Sequence, residues 1–214
     1  MKKKILIVIS CYNPPISLLN TIENLYNFQL CEKYEYKIIC IDNNSSNTKA
    51  YDKIYQKYPK VLVIFTKKKY YDWGTYKYSL ENFNNYHLYF CLKDIVVLNK
   101  KIDMSILEDG LIYTIHNNSG FNSDPQIKSG DIKNRLLKDL KFEFDDLYDK
   151  NFNIVQNNTF IISKNDLTDL FKDLVNPAII EKDNNYYERL FGMYFIKKQF
   201  INERLNEKVT IHYN

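Results

Sequence analysis

Residues 4–10 (KILIVIS) form an unbroken apolar run, and nothing else in the sequence constrains the fold as much. A strand with one solvated face alternates apolar and polar residues. A continuous run reads instead as a parallel strand buried on both faces. Such a strand needs helices above and below it, and the sequence supplies them. Asn13-Pro14-Pro15 ends the run, and residues 16–28 then carry Leu19, Ile22, Leu25 and Tyr26 at helical spacing. Residues 36–41 (YKIICI) are a second run, closed by the polar cluster 42–47, a loop able to cap the next helix. Residues 48–58 are helix-patterned up to Pro59, and 61–65 (VLVIF) are a third strand. Another helix is expected over 73–83. A fourth strand is expected over 87–98 (HLYFCLKDIVVL), with a polar break at Lys93-Asp94. Strands alternating with helices define an α/β class with a mostly parallel central sheet flanked by helices. In such sheets ligands bind outside the carboxyl ends of the strands. The segments to watch are therefore 11–13, 42–44, 66–69 and 93–94.

The second half is less regular. It offers a short strand over 111–115, a polar loop over 116–130 long enough to suggest a function, and a short helix over 132–140. A strand over 154–163 follows, then a helix over 164–174, a loop over 177–185, a long helix over 186–205 and a last strand over 209–213. With 214 residues and no linker, repeat or low-complexity tract, one domain is expected over 1–214, alone or within a longer protein.

Composition removes some functions. A net charge of +4 with only short lysine runs (2–4 and 67–69) is not the concentrated basic stripe of a nucleic-acid binder. The cysteines at 11, 31, 40 and 91 form no C-x-x-C pair, so zinc and redox motifs are not indicated. Three of them lie in or beside apolar runs, where a thiol acts as a small hydrophobe. A reducing, cytoplasmic compartment and no membrane span are expected, since no run approaches the roughly 20 apolar residues a span needs.

The order of these pieces resembles the GT-A glycosyltransferases, specifically the family-2-like group. The likeness is carried by the first strand with its Cys11-Tyr12-Asn13 turn and by Ile41-Asp42-Asn43-Asn44-Ser45-Ser46 after the second strand. It continues through the third strand with Trp73-Gly74 and through Leu92-Lys93-Asp94-Ile95, where the family has its acidic motif. The resemblance implies a GT-A, Rossmann-like nucleotide-diphospho-sugar transferase fold, with a nucleotide-sugar-binding half over 1–100 and an acceptor-binding half over 101–214. It implies transfer of a sugar from a UDP- or dTDP-sugar to a glycan or other hydroxyl acceptor, with inversion. On that reading Tyr12, Asn13, Asp42 and Asn43 face the nucleotide, Lys93 the phosphates, Trp73 and Gly74 the base or sugar, and Asn158 the donor sugar and acceptor; Lys67, at a strand end, can meet a phosphate or equally lie in a solvated turn. Asn13 can equally act as a cap, and Asp42 can equally bond its own loop. Trp73 can equally anchor the core.

The leaving diphosphate needs its developing charge stabilised. Relatives usually use Mn²⁺ or Mg²⁺ on an Asp-x-Asp motif, and oxygen ligands suit both ions. This chain has one carboxylate there, Asp94, beside Lys93, so either Asp94 ligates a metal or Lys93 takes its place; His212 is a further candidate ligand. For the base that takes the acceptor proton, the family pattern points to Asp183, six residues before Arg189, with Glu188 as rival. The incomplete acidic motif also admits a second reading, a catalytically inactive module that only binds a sugar or a partner. A nucleotidyltransferase would want a Gly-rich phosphate loop after the first strand, and Tyr12-Asn13-Pro14-Pro15 is not one.

Overall fold

The computed structural model describes residues 2–26, 34–98, 112–117, 154–173, 184–197, 202–204 and 209–211. The expected helix at 132–140, most of the loop 116–130 and the whole of 177–183 fall outside them, as do Cys31, Asp183 and His212.

Seven strands form the main sheet: β1 Lys3–Cys11, β2 Tyr34–Asp42, β3 Leu62–Phe65, β4 Leu88–Lys93, β6 Ile112–Asn117, β7 Ile154–Ser163 and β8 Asn202–Arg204. Their order is β3-β2-β1-β4-β7-β6-β8. The pairs β3-β2, β2-β1, β1-β4 and β6-β8 are parallel, while β7 runs antiparallel to both its neighbours. The helices are α1 Leu18–Tyr26, α2 Lys49–Lys57, α3 Tyr71–Asn82, α4 Lys164–Asp173 and α5 Asn184–Lys197.

The unbroken run in β1 does what its composition dictates. Ile5, Ile7, Ile9 and Cys11 join one core with Leu18, Ile22 and Leu25 of α1 and Tyr51 and Ile54 of α2. Leu6 and Val8 join the opposite core with Trp73 and Tyr76 of α3, Leu167 of α4 and Phe191 of α5. Alternate residues of one strand thus serve two helical layers, which is why β1 has no polar side to show.

The fourth strand departs from expectation. It stops at Lys93, turns at Asp94-Ile95 and resumes as β5 Val96–Leu98 in a separate two-stranded sheet with β9 Val209–Ile211. The turn is pinned where Asp94 N–H donates to Ser10 O at 3.0 Å. Helix α1 draws β5 away: Thr21 Oγ1 donates to Val96 O at 2.5 Å, and Asn24 Nδ2 donates to Leu98 O. The expected helix 186–205 is also corrected. It begins at Asn184 and ends at Lys197, and Asn202–Arg204 becomes β8, which pairs with the edge of β6 that β7 leaves open. Residue 16 lies in the turn before α1 with 55% of its surface exposed, so the first helix starts at Leu18.

Cys11, Cys40 and Cys91 are free, buried thiols. No described helix is long and apolar enough to cross a membrane. Because β1 is enclosed on both faces, Ile7→Ala should cost about 2–5 kcal/mol. Ile16→Ala should change stability by no more than about 0.5 kcal/mol. Urea unfolding midpoints of the two variants check the contrast.

Candidate functional site

Parallel register builds the site. Cys11 stands opposite Asp42 and Ser10 opposite Lys93, so β2, β1 and β4 end side by side. A cleft of about 220 Å³ opens among the described residues at these ends. Ser10 and Lys93 line it from the sheet, Asn43 and Asp94 from the positions just past β2 and β4, and Asp72 from the first turn of α3. Tyr12 and Lys69 complete the wall from the loops, and Tyr71 from the first position of α3.

Two knots of hydrogen bonds hold the loops. Asn43 N–H donates to Cys11 O at 2.8 Å, and its Nδ2 lies 3.2 Å from each of Ser10 Oγ, Cys11 O and Thr75 Oγ1. Its Oδ1 accepts from Tyr70 N–H at 2.8 Å, so one buried amide ties β1, β2 and the start of α3 together. In the second knot, Asn13 sits at φ 49°, a left-handed conformation that Asn tolerates. Its Oδ1 accepts from Ser46 N–H at 2.9 Å, Ser46 Oγ at 3.2 Å and Asn47 N–H at 3.0 Å. This clasps the loop after β1 to the loop after β2.

Charge is concentrated on the α3 and β4 side. Lys93 Nζ lies 3.1 Å from Asp72 Oδ2, and the same oxygen accepts from Asn158 Nδ2 at 3.1 Å. Burial pulls the Lys93 ammonium towards neutrality. The opposing attractions of Asp72, Glu188 and Asp94 outweigh it and hold its pKa above the ordinary lysine value. Glu188 of α5 is therefore electrostatically part of this cluster. Asp94 Oδ2 accepts from Tyr12 N–H at 2.8 Å. Burial pushes the Asp94 carboxyl up to about 7; the Tyr12 bond and Lys93 offset part of that, and Asp72 adds to it. Lys69 Nζ lies 4.4 Å from the centroid of the Tyr12 ring and 3.0 Å from its hydroxyl, while 49% of Tyr12 remains exposed.

Of the candidate residues, the structure brings Tyr12, Asn43, Lys93 and Asp94 together at the cleft, and Asn158 is joined to them through Asp72. Other candidates are corrected. Asp42 is 1% exposed, and its carboxylate already accepts from Ser45 N–H at 2.8 Å, Ser45 Oγ at 2.5 Å and Tyr51 OH at 2.6 Å. It organises its own loop and does not line the cleft. Asn13 likewise acts as a loop clasp. Trp73 is 2% exposed among Phe191, Phe171 and Tyr187, with ring centroids at 4.2, 4.9 and 5.5 Å. It is a core anchor. At Gly74 an added Cβ would lie 3.0 Å from Tyr70 Cβ, so the close approach there is to the chain's own side chain. Lys67 is exposed and lies off the cleft, and Lys69 of the same run lines it instead.

Asp72, Tyr71 and Ser10 carry no mark in the sequence, and Lys69 is marked only as part of the segment 66–69. The lysine run 67–69 was a partial signal for Lys69. Nothing in periodicity marks Asp72, whose role appears only when α3 is laid against β4.

The residues in the cleft do not make a good cation site by themselves. Among the described residues no group of three or more His, Cys, Asp or Glu could hold a metal ion. Asp72 is engaged by an ammonium and an amide, and Asp94 shares one oxygen with Tyr12 N–H. A divalent ion would have to face the Lys93 ammonium. Asp94 alone is thus a poor ligand as it stands, and His212 lies outside the described residues.

Residues 6–77, from β1 into α3, match the family Glycosyl transferase family 2. The span contains the turn after β1, the polar loop after β2 and Trp73-Gly74, so the resemblance to the GT-A glycosyltransferases holds over the segment that carries those motifs. Family match and architecture together give a GT-A-like α/β fold. No curated protein matches the chain. One matching solved structure is the mannosyltransferase PcManGT from Pyrobaculum calidifontis in complex with GDP-Man and Mn²⁺. It shares 8% identity with a TM-score of 0.46, over 54% of this chain and 36% of that one. This chain therefore spans about a third of that structure's length.

Two outcomes follow for the site as a folded unit. Asp72→Ala strips a buried ammonium of its partner and should cost about 3 kcal/mol in urea unfolding. Asp94 has a raised folded pKa, so the native state holds a proton that the unfolded chain releases. Its contribution to stability is full below about pH 4 and is lost as pH rises through about 7. Asp94→Asn should therefore gain on wild type by on the order of 2 kcal/mol between pH 5 and pH 8. Denaturation midpoints at fixed ionic strength check the sign.

Proposed function

We propose that this chain is a glycosyltransferase that moves a sugar from a nucleotide-diphosphate sugar to a hydroxyl of a glycan or other acceptor. The observation that carries the proposal is the cleft at the carboxyl ends of β1, β2 and β4. It combines a half-exposed ring with two lysines and lies largely within the segment matched to a glycosyl transferase family. Tyr12 offers its ring to the base, Asn43 sets the floor, and Lys69 and Lys93 face the diphosphate. We take the donor to be a UDP- or dTDP-sugar. The first half holds the donor, and the second half supplies the acceptor side.

The reaction asks three things of these residues. The acceptor oxygen must reach the anomeric carbon as the bond from that carbon to the diphosphate oxygen breaks. The bonding pair then leaves with the nucleoside diphosphate, whose new negative charge needs compensation. The acceptor proton must pass to a carboxylate. Glu188, buried on α5 and acting electrostatically on Lys93, is the described group best placed for that role. Asp183, one residue before α5, is the alternative base. A single displacement from the face opposite the leaving group inverts the anomeric centre.

Trp73 is buried in the core away from the cleft, so heat of binding is a better reporter than its fluorescence. Titration with UDP, dTDP and GDP should give saturable binding to one of them, and incubation of the matching nucleotide sugar with a glycan panel should give a mass increase of one sugar. Glu188→Gln should lower kcat by roughly 10²–10⁴-fold while nucleotide affinity stays close to wild type. If a nucleotide binds but no acceptor gains mass, the chain is a binding module. If no nucleotide binds, the donor reading fails.

A further inference from the structure

Lys93 occupies the last position of β4, in register with Ser10 of β1, at the place where the sequence has one carboxylate rather than two. Its side chain is 15% exposed, and its partner Asp72 is 9% exposed. Such a pair is held in one geometry, because Asp72 is itself braced by Asn158 Nδ2. Asn158 is 2% exposed and sits at φ 48°, within β7, so the brace comes from the far side of the cleft's wall. An ammonium has three donors. Asp72 Oδ2, at 3.1 Å, takes one of them, and Lys93 is one of the residues that line the cleft. The Lys69 ammonium, also in the cleft wall, lies over the Tyr12 ring. The two carboxylates that a divalent ion would want are turned to other partners: Asp72 to Lys93 and Asn158, Asp94 to Tyr12 N–H.

We propose that Lys93, positioned by Asp72, supplies the charge that binds the donor's diphosphate and stabilises it as it leaves, so that nucleotide binding requires no divalent cation. The proposal rests on the donor reading above and goes further by naming what replaces the metal. Lysine is suited to it as a compact point charge that binds phosphate without fixed fork geometry. A cation built into a strand end is present before the ligand arrives and needs no ion from solution. Asp72 is a positioning residue in this scheme: it selects the side-chain conformation that points the ammonium at the cleft.

The test is calorimetric titration of the whole chain with the best-binding member of UDP, dTDP and GDP and with its monophosphate, in EDTA and in MnCl₂. Wild type should bind the diphosphate within about threefold in both media, and the monophosphate roughly 10–100-fold more weakly, as loss of a charge-assisted contact implies. Lys93→Gln should lose a similar roughly 10–100-fold for the diphosphate and leave the monophosphate unchanged. Lys93→Arg should retain most of the affinity. Because Lys93→Gln strands the Asp72 carboxylate, the double variant Asp72→Asn/Lys93→Gln provides a neutral pair, and its monophosphate affinity reports that the cleft is intact. Diphosphate binding that appears only with Mn²⁺ and survives Lys93→Gln would overturn the inference and leave the donor reading standing. Absence of any nucleotide binding in either medium would sink both.

Discussion

The parallel pairing of β1 along both its edges is the constraint from which the rest of the structure follows. One strand, buried on both faces and hydrogen-bonded on both sides, fixes the register of β2 and β4 against it. A slip of one residue would send every β1 side chain into the wrong core. Ile7 would move from the α1–α2 layer to the α3–α5 layer, and Val8 the other way. The apolar packing of β1 therefore sets that Asp42 ends beside Cys11 and Lys93 beside Ser10. The cleft is a consequence of that alignment.

What happens beyond the strand ends is decided by polar satisfaction. Asn43 and Asp42 are both buried, and buried polar groups must be bonded or they cost stability. Asn43 meets the demand by linking three elements, and Asp42 by folding its loop back onto Ser45 and Tyr51. Adjacent residues of one polar cluster thus acquire different roles. Asn43 contributes a face to the cleft, and Asp42 keeps the loop rigid enough for that face to stay in place.

The charged side of the cleft is a balance among few groups. Lys93 is kept charged by carboxylates around it, and Asp94 titrates around neutral pH because burial disfavours its ion. The cluster draws on α3, β4, β7 and α5, elements from both ends of the chain. Its chemistry depends on the two halves packing together, with the ring cluster of Trp73, Phe160 and Phe191 joining α3, β7 and α5 beneath it.

The sequence by itself determined the class of fold and the positions of most strands and helices, because burial on two faces requires unbroken apolar runs and helices require their own period. It also determined where the cleft would lie, since strand ends are visible as the points where apolar runs meet polar clusters. Only the tertiary structure decided which polar residues face that cleft. Trp73 reads as well for a stacking platform as for a core anchor until Phe171, Tyr187 and Phe191 close around it. Lys69 and Lys67 are indistinguishable until Tyr12 captures one of them. Asp72 carries no sequence signal, because its partners Lys93 and Asn158 are 21 and 86 residues away along the chain. The division at Lys93-Asp94 shows the same limit: composition marks a break there, but the capture of Val96 and Leu98 by α1 is what sends β5 into another sheet. Local pattern records what each residue prefers, and long-range packing decides which preference is met.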